Sequence, residues 1–311
     1  MSDGPRDPDV GVDPDGTDPG VGGVRVDAAS VAAVGLAPGV RDTPEGAAWA
    51  DTVPGRLRAL GTRWSLVSLS ALPHSGTGAW IGECVARDGA AGILKLAFPH
   101  EEGRDEIVGL GLWDGDPTVR LLRHDRTLDA LLLERCTPGE SLSGRPEPEQ
   151  DEVIGSLLRR LRRAPCTGLR PLASLVAVWE RAAGTDVAHA RPDELETGRA
   201  ELRALLESDA TPCALATDLH AGNVLSAERR PWLAIDPKPY AGDPAFDVTQ
   251  HLLNCPDRLR EAPEATVARV AGAAGVDPAR ARRWLVARLR VESCPDVELA
   301  RALLSRLAAG G

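Results

Sequence analysis

Hydrophobic and polar positions follow two different patterns along the chain, and the change falls near residue 136. Before it, short apolar runs bounded by turn residues predict strands. These predicted strands are 64–72, 79–86, 92–98, 118–123 and 130–135, with one helix at 100–113 after the third strand. After it, apolar residues recur at helical spacing. The predicted helices are 147–163, 171–183, 192–208, 243–254, 262–274, 277–292 and 296–308, interrupted by a strand-like stretch at 213–236.

This pattern predicts an α+β fold of two lobes, a small lobe built on an antiparallel sheet and a larger, mainly helical lobe. A helix predicted at 44–61 leads into the first strand, so the small lobe is expected to span 29–136 and the larger lobe 137–311. Residues 1–28 are rich in Asp, Gly and Pro without a period, which predicts a disordered acidic tail.

The net charge of -10 argues against nucleic acid as a partner. It is compatible with a cationic small substrate, although solubility explains it equally well. No run reaches the roughly 18 apolar residues of a membrane span, and no signal peptide is evident. We therefore expect a cytoplasmic protein with no membrane contact and no obligate protein partner. The six cysteines have no spacing typical of a zinc site.

Three polar residues predict a phosphate and metal centre. Asp218 and Asn223 lie five residues apart in a short polar loop, and Asp236 closes the apolar run that follows. Asp218 can orient the proton of an attacking hydroxyl, while Asn223 and Asp236 offer the hard oxygen ligands that Mg²⁺ shares with ATP phosphates. Taken singly, Asp218 and Asn223 are better explained by a turn with Asx-type backbone bonds, and the joint pattern with Asp236 is what favours the site.

Lysine usage points to a second part of this centre. The chain has 36 basic residues other than His, and only Lys95 and Lys238 are lysines. Lys95 lies within an apolar strand, where it either binds ATP phosphates or points to solvent from an edge strand. Glu106 in the following helix is the preferred partner that would hold the Lys95 ammonium in place. The alternative is that the acidic residues of this helix form a solvated first turn.

The loop between the first two strands is rich in glycine. Gly76 and Gly78 would let backbone N–H groups approach the phosphates of ATP. The signal is weak, because many hairpins carry glycine, and the loop matches neither a Walker A nor a Rossmann fingerprint.

Three segments carry a resemblance to a known family: 218–225, 232–239 and 242–247. They resemble the aminoglycoside phosphotransferase family, in the streptomycin 6-kinase and hydroxyurea phosphotransferase branch. The resemblance, over about 45–308, implies a two-lobed protein-kinase-like fold. It also implies transfer of the γ-phosphate of ATP, with Mg²⁺, to a small-molecule hydroxyl of an antibiotic. In that family the linker corresponding to Glu134–Cys136 receives adenine through its backbone.

The chain departs from the family pattern just before the catalytic aspartate. The family reads His-Gly-Asp where this chain has Ala216, Thr217 and Asp218. The missing His implies either slower turnover or a brace of the catalytic loop by other groups. It also motivates an alternative, a nucleotide-binding pseudokinase that regulates a partner. A biosynthetic small-molecule kinase is a further alternative, since its chemistry is the same.

Three residues near this loop have two interpretations each. Asp247 either hydrogen-bonds the catalytic loop or supplies first-turn charge. His220 is expected to organise the loop rather than act as a base, because Asp218 already has that role. Lys238 either reaches a phosphate or forms a salt bridge.

The last motif lies near the C-terminus. Trp284, Arg288 and Glu292 share one helical stripe. An exposed Arg–Glu pair beside a core tryptophan is expected there, with a substrate pocket as the alternative.

Overall fold

The computed structural model divides by its contacts into two compact units. The smaller comprises 1–99 with 122–135, and the larger comprises 100–121 with 136–311. The residues that the structure describes are 25–26, 42–72, 78–99, 101–183, 189–292 and 296–307, with side chains from 105 onward in the helix that begins at 101.

A six-stranded sheet, in the order β1-β2-β3-β4-β6-β5, forms the smaller unit. Its strands are β1 (Arg25–Val26), β2 (Leu66–Ala71), β3 (Ala79–Ala86), β4 (Ala91–Ala97), β5 (Leu121–Asp125) and β6 (Ala130–Glu134). The pairings β2–β3, β3–β4 and β4–β6 are all antiparallel, as the sequence predicted. Strand β5 corresponds to the strand predicted at 118–123 and begins three residues later than predicted.

Helix α1 (Pro44–Trp64) covers this sheet. Thr43 caps its start, where the Thr43 hydroxyl accepts a hydrogen bond from the Gly46 N–H at 3.0 Å. Val53, Leu57 and Leu60, spaced by four and three residues, are fully buried in the core of this unit. The helix is three residues longer than predicted and ends where Ser65 adopts a left-handed conformation.

The predicted disordered tail needs a correction at its end. Arg25 and Val26 form β1, which pairs in parallel with Ser68 and Leu69 of β2. The boundary expected at residue 28 therefore does not hold at these two residues, because strand β2 offers them an edge to pair with. The rest of the predicted tail lies outside the described residues.

The larger unit is mainly helical, as predicted. Its helices are α2 (Glu101–Trp113), α3 (Glu147–Leu161), α4 (Leu172–Ala183), α5 (Pro192–Leu206), α6 (Pro244–Leu253), α7 (Pro256–Glu261), α8 (Pro263–Ala274), α9 (Pro278–Val291) and α10 (Val297–Leu307). Trp284 of α9 and Phe246 of α6 are buried in its core and meet edge to face, with ring centroids 5.3 Å apart. Helix α7 is an addition to the predicted set.

Helix α2 belongs to the larger unit, although the sequence pattern assigned 100–113 to the small lobe. The indole N–H of Trp113 donates to the Leu161 carbonyl at 3.0 Å, and Arg170 donates to Asp105 at 2.5 Å. Gly109 lies so close to Pro239 that a Cβ at position 109 would stand 2.8 Å from the proline ring. These contacts connect residues far apart in the sequence, so periodicity cannot reveal them.

The strand-like stretch at 213–236 is resolved into several short strands. Strand β8 (Cys213–Leu215) pairs with β11 (Tyr240–Gly242). Strands β9 (Val224–Ala227) and β10 (Trp232–Ala234) form a second small sheet with β7 (Pro138–Ser141). The pattern did not predict β7 or β11, because strands of three or four residues are too short to show a period.

Candidate active site

The site is built on the loop that joins β8 to β9. Strand β8 ends at Leu215, and Thr217 then adopts a left-handed φ of 43°. This turn brings the Asp218 N–H to within 2.6 Å of the Ala216 carbonyl. A left-handed conformation is unfavourable for a β-branched residue, so the turn needs support from its surroundings.

Asp247 supplies that support. Its two carboxylate oxygens accept hydrogen bonds from the backbone N–H groups of Ala216, at 2.9 Å, and Thr217, at 2.7 Å. Burial raises the pKa of Asp247 to about 6, against the lowering effect of the two backbone hydrogen bonds. The prediction that Asp247 hydrogen-bonds the loop is therefore confirmed.

The turn after β8 is also hydrogen-bonded directly to the segment after β10. The Thr217 hydroxyl donates to the Lys238 carbonyl at 2.7 Å, and the Lys238 N–H donates to the Ala216 carbonyl at 2.9 Å. The loop thus has a brace made from backbone groups, one carboxylate and one hydroxyl. The structure favours the re-routed brace over an unsupported loop, and the absent His does not leave the turn without bonds.

Both oxygens of the Asp218 carboxylate are held by donors. The Lys238 ammonium lies 2.7 Å from Oδ2, and the Gln250 amide donates to Oδ1 at 2.8 Å. Of the two interpretations of Lys238, the structure supports the salt bridge, which Lys238 forms with Asp218. Such charge-assisted hydrogen bonds give the carboxylate a defined direction.

The two predicted metal ligands lie on segments that are hydrogen-bonded to the Asp218 loop or within it. The Asn223 side-chain amide donates to the Asp218 backbone carbonyl at 3.0 Å, so its N–H group is directed toward Asp218. The Ile235 N–H donates to the Asn223 backbone carbonyl at 2.9 Å, so Asp236 follows directly after the residue that bonds to Asn223. Asp236 has a left-handed φ of 50°. The fold thereby connects segments whose polar residues are up to 18 positions apart in the sequence.

His220 organises the turn that follows Asp218, as predicted. Its Nδ1 accepts a hydrogen bond from the Gly222 N–H at 3.1 Å at the start of a short 3₁₀ helix, Ala221–Asn223. Burial lowers the pKa of His220, against the opposing charge of Asp218. A neutral Nδ1 acceptor is consistent with both observations.

Lys95 lies at the centre of the sheet of the smaller unit. In the register of the sheet, Lys95 pairs with Ile81 of β3 on one side and with Leu131 of β6 on the other. Only 8% of its surface is exposed. The alternative of an edge-strand lysine in solvent is therefore wrong. Glu106 is buried on α2 in the larger unit, and the predicted pairing of the two side chains stays a prediction.

The structure describes three of the four remaining residues that the sequence predicted to bind the nucleotide. Gly76 lies outside the described residues. Gly78 has no neighbouring atom within 4 Å of where a Cβ would be, so the backbone there is open to approach. Glu134 ends β6, and Cys136 is the first residue of the larger unit after it. Their predicted part in binding adenine stays a prediction.

Gln250 was missed as a site residue, whereas Arg288 beside it was expected in an exposed pair with a substrate pocket as the alternative. Gln250 lies three positions after Asp247, and this spacing on one face of α6 is a signal that could have revealed it. The expected pair of Arg288 with Glu292 is present at 2.8 Å, but Arg288 is buried rather than exposed. Its guanidinium lies over the rings of Trp179 and Phe246.

A cavity of about 390 Å³ opens beside the same loop. His220 and Gly222 line it on the side of the loop, and Glu147, Asp257 and Arg258 bring charge to it. Arg258 lies 3.2 Å from Glu147 and 2.7 Å from the buried Asp151, so its positive charge is compensated.

Among the described residues, no group of three or more His, Cys, Asp or Glu side chains could hold a metal ion. No described helix is long and apolar enough to cross a membrane.

Solved structures with the same fold define the class of protein. The chain is similar to the choline kinase LicA from Streptococcus pneumoniae, with a TM-score of 0.58 at 13% identity, covering 84% of this chain and 98% of that one. It is also similar to the aminoglycoside phosphotransferase APH(4)-Ia, with a TM-score of 0.55 at 14% identity, covering 84% and 99%. The fold is therefore the two-lobed protein-kinase-like fold of small-molecule kinases.

Sequence relatives define the family. The model of the aminoglycoside/hydroxyurea antibiotic resistance kinases matches residues 63–295. A streptomycin 6-kinase from Streptomyces glaucescens is 36% identical, over 84% of this chain and 88% of that protein. A hydroxyurea phosphotransferase from Kitasatospora aureofaciens is 39% identical, over 80% and 74%. The chain belongs to the aminoglycoside/hydroxyurea antibiotic resistance kinase family, and it is an ATP-dependent phosphotransferase that acts on a hydroxyl group.

Proposed function

We propose that this kinase transfers the γ-phosphoryl group of ATP to a hydroxyl of an antibiotic of the streptomycin or hydroxyurea type, as a resistance enzyme. The observation that carries the proposal is the loop cluster itself, in which Asp218 is held by two donors beside Asn223 and Asp236. The relatives are a streptomycin 6-kinase and a hydroxyurea phosphotransferase, and these activities suggest the acceptor type. The regulatory and biosynthetic alternatives are not favoured.

In the proposed mechanism Asp218 accepts a hydrogen bond from the acceptor hydroxyl and aims its oxygen at the γ-phosphorus. Phosphoryl transfer depends on positioning and charge neutralisation more than on covalent help from the protein. The two donors on the Asp218 carboxylate support this role, because they restrict its rotation.

The phosphate side of the reaction is assigned to other residues. Lys95, paired with Glu106, would position the phosphates together with the backbone N–H groups of Gly76 and Gly78. The burial of Lys95 in the sheet supports a fixed ammonium there. The backbone of 134–136 would receive adenine.

Asn223 and Asp236 fit a magnesium ion. The Asn223 amide uses an N–H toward Asp218, which leaves its oxygen as the ligand end. One amide oxygen and one carboxylate suit an ion that keeps waters and binds ATP phosphates. When bound, Mg²⁺ neutralises charge on the phosphate oxygens.

The cavity beside the loop is proposed to take a cationic part of the acceptor. Glu147 and Asp257 would supply the negative charge, which in this structure is paired with Arg258 at 3.2 Å and with Arg260 at 3.3 Å. We expect Asp257→Asn combined with Glu147→Gln to raise the KM for cationic streptomycin about threefold, a modest change because both residues are exposed. The KM for neutral hydroxyurea serves as the matched control, and an equal rise for both acceptors would contradict the assignment.

The central experiment is Asp218→Ala, assayed with ATP against streptomycin and hydroxyurea. Phosphate transfer is expected to be abolished, while ATP binding measured by calorimetry is retained. Glu201→Gln is the matched control, since Glu201 forms an exposed ion pair with Arg283 on the outside of the same unit. Unchanged turnover in Asp218→Ala would refute the mechanism. Failure of the wild-type enzyme with both antibiotics would refute the proposed acceptor type.

A further inference from the structure

Gln250 connects the proposed catalytic aspartate to a buried arginine. Its amide nitrogen donates to Asp218 Oδ1 at 2.8 Å, and its amide oxygen accepts from Arg288 Nη2 at 3.0 Å. Asp218, Gln250 and Arg288 therefore form a continuous chain of hydrogen bonds from the loop through α6 to α9.

The two ends of this chain determine the orientation of the Gln250 amide. An arginine side chain has donors and no acceptor, whereas an ionised carboxylate has acceptors and no donor. The amide oxygen must face Arg288, and the amide nitrogen must face Asp218. Glutamine provides both an acceptor for Arg288 and a donor for Asp218 without having to take up a proton, whereas a glutamate of the same size would have to be protonated to do so.

Arg288 is in turn held firmly. Its side chain is 4% exposed, and it donates to the Thr249 hydroxyl at 2.7 Å and to Glu292 at 2.8 Å. Its guanidinium lies 4.9 Å from the ring centroid of Trp179 and 5.2 Å from that of Phe246. A cation with bonds on several sides and aromatic rings against its face has little freedom to move.

We propose that Gln250 is a positioning residue that sets the direction of the Asp218 carboxylate, and that Arg288 acts on Asp218 through Gln250. This inference rests on the proposed role of Asp218. Neither the Gln250 N–H nor the Lys238 ammonium can take a proton from Asp218. The acceptor hydroxyl therefore gives its proton to Asp218, where it remains, as the new oxygen–phosphorus bond forms and the bond to ADP breaks.

Gln250→Ala and Gln250→Glu separate positioning from mere stabilisation. Gln250→Glu keeps an acceptor for Arg288 and strengthens it with charge, but it presents a second carboxylate to Asp218. A residue that only stabilises α6 through Arg288 would make Gln250→Glu the more active of the two variants. A positioning residue makes Gln250→Glu the less active, even where its melting temperature is the higher.

Turnover is measured as ADP release with streptomycin as acceptor and, separately, with water as acceptor. We expect kcat to fall roughly 10–100-fold in Gln250→Ala and further in Gln250→Glu, with the KM for ATP within about threefold of wild type. Arg288→Lys is expected to lower kcat in the wild-type background and to have no added effect in Gln250→Ala. Arg283→Lys, on the same helix, is the control and should leave kcat unchanged.

A crystal structure of Gln250→Ala provides a readout that does not depend on activity, and the Asp218 carboxylate is expected to rotate from its wild-type direction. Wild-type kcat in both Gln250 variants, or an unrotated Asp218, would overturn the inference. Asp218→Ala assayed in parallel separates the two proposals. Turnover in that variant would remove the role of Asp218 itself, whereas its inactivity beside a fully active Gln250→Ala would remove only the positioning role.

Discussion

Asp247 and Asp151 are two carboxylates of the larger unit that are almost completely buried, at 3% and 1% exposure. They have different partners. Asp247 accepts hydrogen bonds from two neutral backbone N–H groups of the catalytic loop. Asp151 of α3 accepts from His251 at 2.9 Å, Arg258 at 2.7 Å and Arg269 at 2.6 Å.

The two pKa values move in opposite directions as a result. Burial dominates at Asp247 and raises its pKa to about 6. At Asp151 burial also acts to raise the pKa, but the hydrogen bonds from His251, Arg258 and Arg269 together outweigh it and lower the pKa. Equal burial therefore does not imply equal chemistry, because the charge of the partners decides whether a carboxylate is stabilised as an anion.

The two residues have different structural roles. Asp151 is a structural tie, that is, an ionic connection between helices, whereas Asp247 supports the loop that carries Asp218. Asp151 connects α3 to α6, α7 and α8, where charged partners fix the packing of helices. Asp247 holds the backbone that carries Asp218. Neutral donors leave that support sensitive to pH, whereas the lowered pKa of Asp151 keeps its carboxylate ionised except in acid.

The largest effect is expected from Asp151→Ala. Removing the anion leaves a buried Arg258 without its closest carboxylate, and breaking such a pair costs about 3–5 kcal/mol. The free energy of unfolding from urea titration checks this. The kcat of the folded fraction should stay within about threefold of wild type, since Asp151 does not contact the loop. A loss of stability below about 1 kcal/mol would show that the cluster is not a structural tie.

The pH dependence of stability should distinguish the two carboxylates next. The folded protein binds a proton at Asp247 more readily than the unfolded chain, so the stability due to this residue falls as pH rises from about 4 to about 6. The free energy of unfolding of wild type minus that of Asp247→Asn should therefore fall by roughly 3 kcal/mol between pH 4 and pH 7.

Asp151→Asn is the matched control for this pH series. The lowered pKa of Asp151 means that its contribution is present above its ordinary pKa and is lost only as pH falls below it. The Asp151 carboxylate itself should therefore add no slope from about pH 5 to pH 7, and a slope there would come from His251, whose pKa is raised against burial by its hydrogen bond to Asp151. Two parallel curves would contradict the contrast between the residues.

A smaller effect is expected at the hydroxyl that completes the loop brace. Thr217→Val keeps the shape of the side chain but removes the hydrogen bond to the Lys238 carbonyl. The free energy of unfolding should fall by about 1 kcal/mol, and kcat should fall severalfold because the turn before Asp218 loosens. Thr217→Ser retains the hydroxyl and should retain most of the activity. Equal kcat in both variants would show that the hydroxyl is not part of the brace.

The smallest effect is expected from an ion pair at the surface. Glu201→Gln breaks the bond between Glu201 and the half-exposed Arg283. Pairs of this kind contribute about 0–1 kcal/mol, so the melting temperature and kcat should both be nearly unchanged. If Glu201→Gln lowered stability as much as Asp151→Ala, then burial and charge compensation would not explain why the Asp151 cluster contributes more than a surface pair.

Much of the fold and part of the site were predictable from the chain alone. The helices and the longer strands were placed to within a few residues, because amphipathic periodicity records which face of an element is buried. Asp218, Asn223 and Asp236 were predicted from their spacing and Lys95 from the scarcity of lysines, and their roles stay predictions. Strands β7 and β11 were missed because they are too short to carry a period.

The sequence by itself determined the elements and the chemistry of the loop, since side-chain type and local spacing are properties of the chain. Only the tertiary structure decided what surrounds that loop. Gln250 reaches Asp218 across 32 positions, and Asp247 reaches Thr217 across 30. Such partners meet because helices and short strands pack in one particular way. The same packing gives two buried aspartates opposite pKa shifts that no local sequence pattern distinguishes.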